Sequence, residues 1–169
     1  MPVASALSSP PFVLRPYALG DVEIYVGLFT DAQVMQGVGP AMAIDVATRA
    51  AHTCVAAQAN PQGRFRHWII TEGDDTLGLL GLALQSPDWR TGSAELGVLL
   101  WPAAQGRGAA TAAIAAVAHW AFGAAGLLQL TTHHAEGHAR AAALMRACEF
   151  LPCAAEPDAR LACAWIKRC

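Results

Sequence analysis

Lysine is almost missing from this 169-residue chain: Lys167 is the only one, and arginine supplies the rest of the 11 basic side chains. A Walker phosphate loop needs a lysine beside its second glycine, so that class is excluded. No Asp or Glu occurs from Leu96 through Ala135, and Thr111 stands where a dinucleotide fingerprint would have its third glycine, which argues against a Rossmann cofactor site. There is no C-x-x-C pair, and the five cysteines (Cys54, Cys148, Cys153, Cys163, Cys169) are odd in number. Neither a disulfide framework nor a zinc ribbon is expected, and reduced thiols point to a cytoplasmic protein. Ser93 sits in Gly92-Ser93-Ala94 without the Gly-x-Ser-x-Gly elbow of a hydrolase. Basic excess is absent as well: a net charge of −2 argues against non-specific nucleic-acid binding. The longest apolar stretch, Gly108 to Leu128, is broken by Thr111, His119, Trp120 and glycines, and its alanines bury too little area to favour a bilayer. Residues 1–10 have neither the basic nor the apolar region of a signal peptide and are expected to be a mobile tail ahead of a single domain over residues 11–169.

What the chain does have is apolar mass, 54% against 14% charged, enough for a full core. Its most informative stretch is Glu95 to Thr111, ELGVLLWPAAQGRGAAT. Val98-Leu99-Leu100 reads as a strand end, Pro102 stops it, and Gln105-Gly106-Arg107-Gly108-Ala109-Ala110-Thr111 turns into an Ala-rich helix with almost no side-chain bulk. Uncovered N–H groups at a helix start favour a phosphate, and glycines let it approach the backbone. A phosphorylated cofactor is the expectation.

Periodicity supplies the frame. Phe12 to Arg15 alternates as a strand, and Val22, Tyr25, Val26 and Phe29 recur at helical spacing. A second short helix is expected from Thr30-Asp31 towards Gly37, and another from Asp45 to Ala59. Strands over His67–Glu72, Thr76–Gln85 and Ser93–Leu100 form an antiparallel meander closed by the turn Gly73-Asp74-Asp75. After the helix from Gly108 to Phe122, a strand over Leu127–Thr132 is expected parallel to Ser93–Leu100. A helix over Glu136–Cys148 and two short strands, Phe150–Cys153 and Leu161–Ile166, finish the chain. The composite is α+β: a mixed, twisted, mostly antiparallel sheet of about six to seven strands with helices on both faces.

The turn resembles the acyl-CoA-binding core of the Gcn5-related N-acetyltransferases (GNAT), whose signature is Gln/Arg-x-x-Gly-x-Gly/Ala; Gln105, Gly108 and Ala110 match it. Val13-Leu14-Arg15-Pro16, Ala94-Glu95-Leu96-Gly97 and Cys148-Glu149-Phe150 are similar to the branch that acetylates ribosomal-protein N-termini or small amines (RimJ/RimL-like), and the likeness covers roughly Phe12 to Lys167. It implies an enzyme that uses acetyl-CoA, without a metal, to acetylate a small-molecule amine or a protein N-terminus by direct transfer, and a possible homodimer. It implies that the strands ending at Leu100 and near Thr132 splay apart, so that the pantetheine arm lies between them against backbone groups of Val98 and Leu100. The pyrophosphate would rest on the amides of Gly106 to Thr111 with Arg107 adding charge, and an amide near Leu99 or Leu100 would bind the oxyanion.

Glu95 is the nearest acid and the expected general base, although strand alternation puts it on the face opposite Val98 and Leu100. The family's late-helix asparagine, serine and tyrosine fall on His138, Ala141 and Met145, so a tyrosine acid is absent and His138 is the candidate for the asparagine's cofactor contact. His133, His134 and His138 lack an acidic or thiol ligand at metal spacing, so no metal is expected, while an imidazole among them is a possible base or relay. Tyr25, Trp89 and Arg90 are the candidates for the acceptor wall. A non-catalytic acyl-CoA sensor on the same fold is the alternative.

Overall fold

Strand pairing in the computed structural model, which describes residues 2–85, 92–154 and 163–169, builds one open sheet. Its strands are β1 (Leu7–Ser9), β2 (Phe12–Pro16), β3 (Phe65–Glu72), β4 (Asp75–Leu84), β5 (Ser93–Leu100), β6 (Gln129–His134), β7 (Leu151–Cys153) and β8 (Cys163–Arg168), in the order 1-2-3-4-5-6-8-7. Every pairing is antiparallel except β5 with β6. Among the described residues four helices cover the faces: α1 (Val22–Thr30), α2 (Ile44–Ala59), α3 (Ala109–Phe122) and α4 (Ala139–Ala147). None of them is long and apolar enough to cross a membrane.

Each helix buries the face its spacing dictates. In α2 the buried residues are Ala47, Ala51, Cys54 and Gln58, three or four apart, and Asn60-Pro61 ends it. In α3 they include Ala109, Ala113, Val117 and Trp120, where alanine's high helix propensity and small size let the helix lie close on the sheet. The cluster between α3 and the sheet holds Leu14, Trp68, Leu80, Leu96 and Leu130, with Trp120 edge-on to Trp68 at 5.1 Å. A second cluster, under α1 and α2, holds Tyr17, Tyr25, Leu28, Cys54, Ile69, Leu79 and Leu99.

Three expectations change. Residues 2–9 are docked rather than mobile: β1 pairs with β2, Ala4 is buried, and the Trp68 indole and Arg66 guanidinium donate to the carbonyls of Ser5 and Pro2 at 2.8 and 2.9 Å. These anchors come from β3, some sixty residues away, and β1 takes the sheet to eight strands. The second short helix after Thr30 is a set of turns: Asp31 Oδ1 accepts from the amides of Gln33 and Val34, and Gly37 takes a φ of 83°. The strand after α3 begins two residues late, at Gln129, so it carries His133 and His134 within it.

Inside the second cluster His67 is held neutral. Burial pushes its imidazole down to about 4, whereas in the unfolded chain it titrates near 6.5. The unfolded state therefore binds the proton first as pH falls, and stability present above pH ~6.5 is lost progressively down to pH ~4, on the order of 3 kcal/mol. Urea unfolding between pH 7 and 4.5 checks this, and His67→Gln is expected to flatten that part of the profile.

Candidate functional site

The site begins where β5 and β6 part. Their parallel ladder has three pairs, Ser93–Gln129, Ala94–Leu130 and Glu95–Thr131, and stops there. On its other side β5 stays paired with β4 without interruption through Leu100. The Gln85 amide bonds the Ser93 carbonyl and the Trp101 amide bonds that of Leu77, so odd-numbered residues of this strand turn their backbone towards β4. Alternation leaves the backbone groups of Val98 and Leu100 directed into the gap, as a pantetheine pseudo-strand requires. Leu99 is on the wrong parity: its amide belongs to the ladder with Leu79 and its side chain to the second core cluster, so of the two oxyanion donors expected only Leu100 has a backbone facing the gap.

At the top of the gap the chain passes through a 3-10 turn, Pro102–Ala104, to the start of α3. Gly106 and Gly108 take φ of 78° and 82°, a region that costs a side chain dearly, and a Cβ on either would meet nothing within 4 Å. Gly108 is the N-cap, with no side chain bonding the helix end. The first intrahelical donor is Ala112, bonded to the Gly108 carbonyl, so the amides of Ala109, Ala110 and Thr111 precede the ladder uncapped. This is a bare, positively polarised cradle for an anion. Ala109 turns its methyl into the core while Thr111 is exposed.

The side chains around it are less free than expected. The Arg107 guanidinium is paired with the Glu72 carboxylate at the end of β3, so a phosphate gains it only in exchange for that partner. Gln105 Nε2 donates to the Leu100 carbonyl at 3.4 Å, and its Oε1 accepts from Arg140 of α4 at 3.5 Å. Arg140 thus places a second cation beside the turn. Sequence reasoning missed it, because nothing local in the α4 sequence tells that its first turn faces Gln105. His138, expected on the cofactor, is the N-cap of α4: its Nδ1 accepts from the Ala141 amide at 3.1 Å, and its ring lies where a Cβ on Gly37 would be, 1.9 Å from Cδ2. The Gly37 carbonyl also accepts from the Ala135 amide, so the segment between α1 and α2 reaches across to the end of β6. At the foot of α4, Lys167 Nζ donates to the Cys148 carbonyl and Glu149 Oε2 at 2.8 and 3.0 Å. Burial raises the Cys148 thiol above its ordinary range, which leaves it a core group rather than a nucleophile.

On the α1–α2 side of the sheet Glu95 makes a contact the sequence did not disclose. Its Oε1 stands 3.1 Å from Nδ1 of His133, across the parting strands. The register shift of this sheet lies in β3 at Ile70/Thr71, so β5 has no bulge to move Glu95 to the face of Val98 and Leu100. Next to it Gln85, Ser93, Gln129 and Thr131 form a hydrogen-bonded belt. His134 points the other way, accepting from the Trp165 indole at 2.8 Å. Tyr25, expected on the acceptor wall, is 6% exposed and stacked on Phe29 at 4.3 Å, and burial holds its phenol above the usual range. Trp89 and Arg90 lie outside the described residues. Among the described residues no group of three His, Cys, Asp or Glu is placed to hold a metal.

The sequence and the fold are similar to those of known proteins. The acetyltransferase (GNAT) domain profile matches residues 12–151. An acetyltransferase from Agrobacterium tumefaciens superposes with a TM-score of 0.82 at 20% identity, covering 99% of this chain and 96% of that one. A spermidine N-acetyltransferase from Vibrio cholerae, solved with CoA and spermine, gives 0.75 at 19% identity over 92% and 93%. A Vibrio cholerae protein described as a ribosomal-protein-serine acetyltransferase gives 0.78 at 14% over 99% of each chain. No curated protein matches the sequence.

Proposed function

Since the chain belongs to the GNAT acetyltransferase family, we propose that it carries an acetyl group from acetyl-CoA directly to a primary amine, on a small molecule or a protein N-terminus. The observation that carries this reading is the bare-amide turn at residues 106–111 standing at the mouth of the gap between β5 and β6. The pyrophosphate rests on those amides and the pantetheine arm runs down the gap against Leu100 and then Val98, which delivers the thioester carbonyl to the level where β5 and β6 part. Aminolysis then needs a neutral amine and a group to take its proton, and the Glu95–His133 pair stands at that level of the sheet. The thiolate leaves without a tyrosine acid, since Met145 occupies that position and is buried on α4; a thiol of pKa about 8.5 is a tolerable unaided leaving group.

Calorimetric titration with acetyl-CoA, followed by a CoA-release assay over a panel containing spermidine, kanamycin, 2-phenylethylamine and a peptide with a free N-terminal serine, tests the proposal. The expected result is saturable binding and turnover of at least one amine. Binding with no release across the panel would favour a non-catalytic acyl-CoA sensor, and no binding at all would leave the glycines a purely structural turn.

A further inference from the structure

We propose that the acceptor nitrogen is seated over Gly97 and surrenders its proton to Nε2 of His133, with Glu95 holding that imidazole in place. The inference rests on the acetyl-transfer reading and assigns its acceptor seat and its proton acceptor. Three observations converge on it.

The first is register. His67, Gly81 and Gly97 are direct partners across β3, β4 and β5, so they share one face of the sheet. Continuing the β5–β6 ladder two residues beyond Glu95–Thr131 sets Gly97 level with His133, at the point where the strands have parted. Glu95, Gly97, Thr131 and His133 thus occupy the same face, at the edge of the gap into which Val98 and Leu100 direct their backbone.

The second is space. Over Gly81 the room is taken by the His67 ring, 2.7 Å from a Cβ placed there, whereas a Cβ on Gly97 would meet nothing within 4 Å. Gly97 therefore floors an open notch with Glu95 before it and Leu99 after it on β5. Its backbone is ordinary strand, so neither strain nor crowding demands a glycine there. A glycine that the fold does not require, at the one level where β5 faces the gap beside an acid–imidazole pair, is explained by what must sit on it.

The third is the pair itself. An ionised carboxylate only accepts, so Nδ1 of His133 carries the proton in its 3.1 Å bond to Glu95 Oε1. That fixes the tautomer and leaves the lone pair on Nε2, which has no partner among the described residues. His133 is mostly shielded, its side chain 19% exposed, and Glu95 is 47% exposed. Glu95 is thereby a positioning residue and His133 the base. In the step, the amine lone pair forms the N–C bond to the thioester carbonyl and the C–S bond breaks. One amine proton passes to Nε2 and returns through solvent to the departing CoA sulfur, giving amide and free thiol.

Two variants test the assignment with whichever panel amine is turned over. Gly97→Val is expected to leave acetyl-CoA affinity and melting temperature unchanged and to raise the acceptor KM roughly tenfold or more. His133→Ala is expected to lower kcat about 100-fold or more with acetyl-CoA affinity intact, and to be partly rescued by added imidazole, which a structural role would not allow. Nitrogen NMR of the wild type should show His133 protonated at Nδ1, and mixed tautomers in Glu95→Gln. A His133→Ala enzyme with wild-type kcat, or a Gly97→Val enzyme with unchanged KM, overturns this assignment alone. A wild type that releases no CoA with any amine overturns the acetyl-transfer reading and this assignment with it.

Discussion

Replacing Gly108 with tryptophan is expected to weaken acetyl-CoA binding by two to four decades while costing the fold only about 1–2 kcal/mol. The stability cost is that of forcing a side chain to φ 82°, the left-handed region; no clash adds to it, because the space beside Gly108 is open. The affinity cost has a different origin. Hydrogen bonds from backbone amides to a charged phosphate are worth about 1.5–3 kcal/mol each, and an indole over the cradle removes at least two, about 3–6 kcal/mol in all. Gly108→Ala separates the two effects: it pays the same backbone strain but leaves the cradle mostly open. Calorimetry with acetyl-CoA and thermal melting of both variants are the measurements. A tryptophan variant with unchanged affinity would mean that the cofactor does not use this turn.

Arg66→Met is expected to be the most destabilising single change, about 3–5 kcal/mol by urea unfolding, with little direct effect on the cofactor cradle. The guanidinium is fully buried, and burial lowers its pKa from the ordinary arginine value. Its Nε donates to the Pro2 carbonyl, Nη1 to those of Ala57 and Phe65, and Nη2 to that of Asn60, at 2.7 to 2.9 Å. One side chain thereby ties the first residues, the C-terminus of α2 and the turn into β3. Methionine fills the volume and strands those acceptors, each at a cost of about 1–3 kcal/mol when buried. Against a total of roughly 5–15 kcal/mol for a domain, that is a large share. Hydrogen exchange should show β1 losing protection first, because the Pro2 anchor is gone. A variant within 1 kcal/mol of wild type would mean that water satisfies the carbonyls.

Local signals were legible, and long-range ones were not. Gln105 to Thr111 announced its turn through glycine and missing bulk, which are local properties of the backbone. The two-residue spacing of Val98 and Leu100 carried their common orientation, since alternation needs no tertiary information. Glu95 illustrates the opposite case: its identity was visible, but its partner is 38 residues away and is fixed only by the β5–β6 register. A two-residue error in where β6 starts was enough to hide His133 inside a strand-end cluster of histidines. The start of the chain reads as unstructured because it is small and polar, whereas residues 2–9 are held by β1 pairing and by the Arg66 and Trp68 side chains bonding the carbonyls of Pro2 and Ser5. Tyr25 has the right spacing for either a helix core or a pocket wall, and its burial against Phe29 is a contact that spacing alone does not specify.

The treatment of Lys167 has a chemical corollary. A catalyst that brings an activated acyl donor to amines is exposed to labelling its own side chains. Here the one side-chain amine is held between the Cys148 carbonyl and the Glu149 carboxylate, 22% exposed. Arginine, which does not deprotonate in proteins, supplies every other cation. Under the proposed acetyl-transfer reading, the chain is thereby poor in side-chain amines that would compete for the acyl donor.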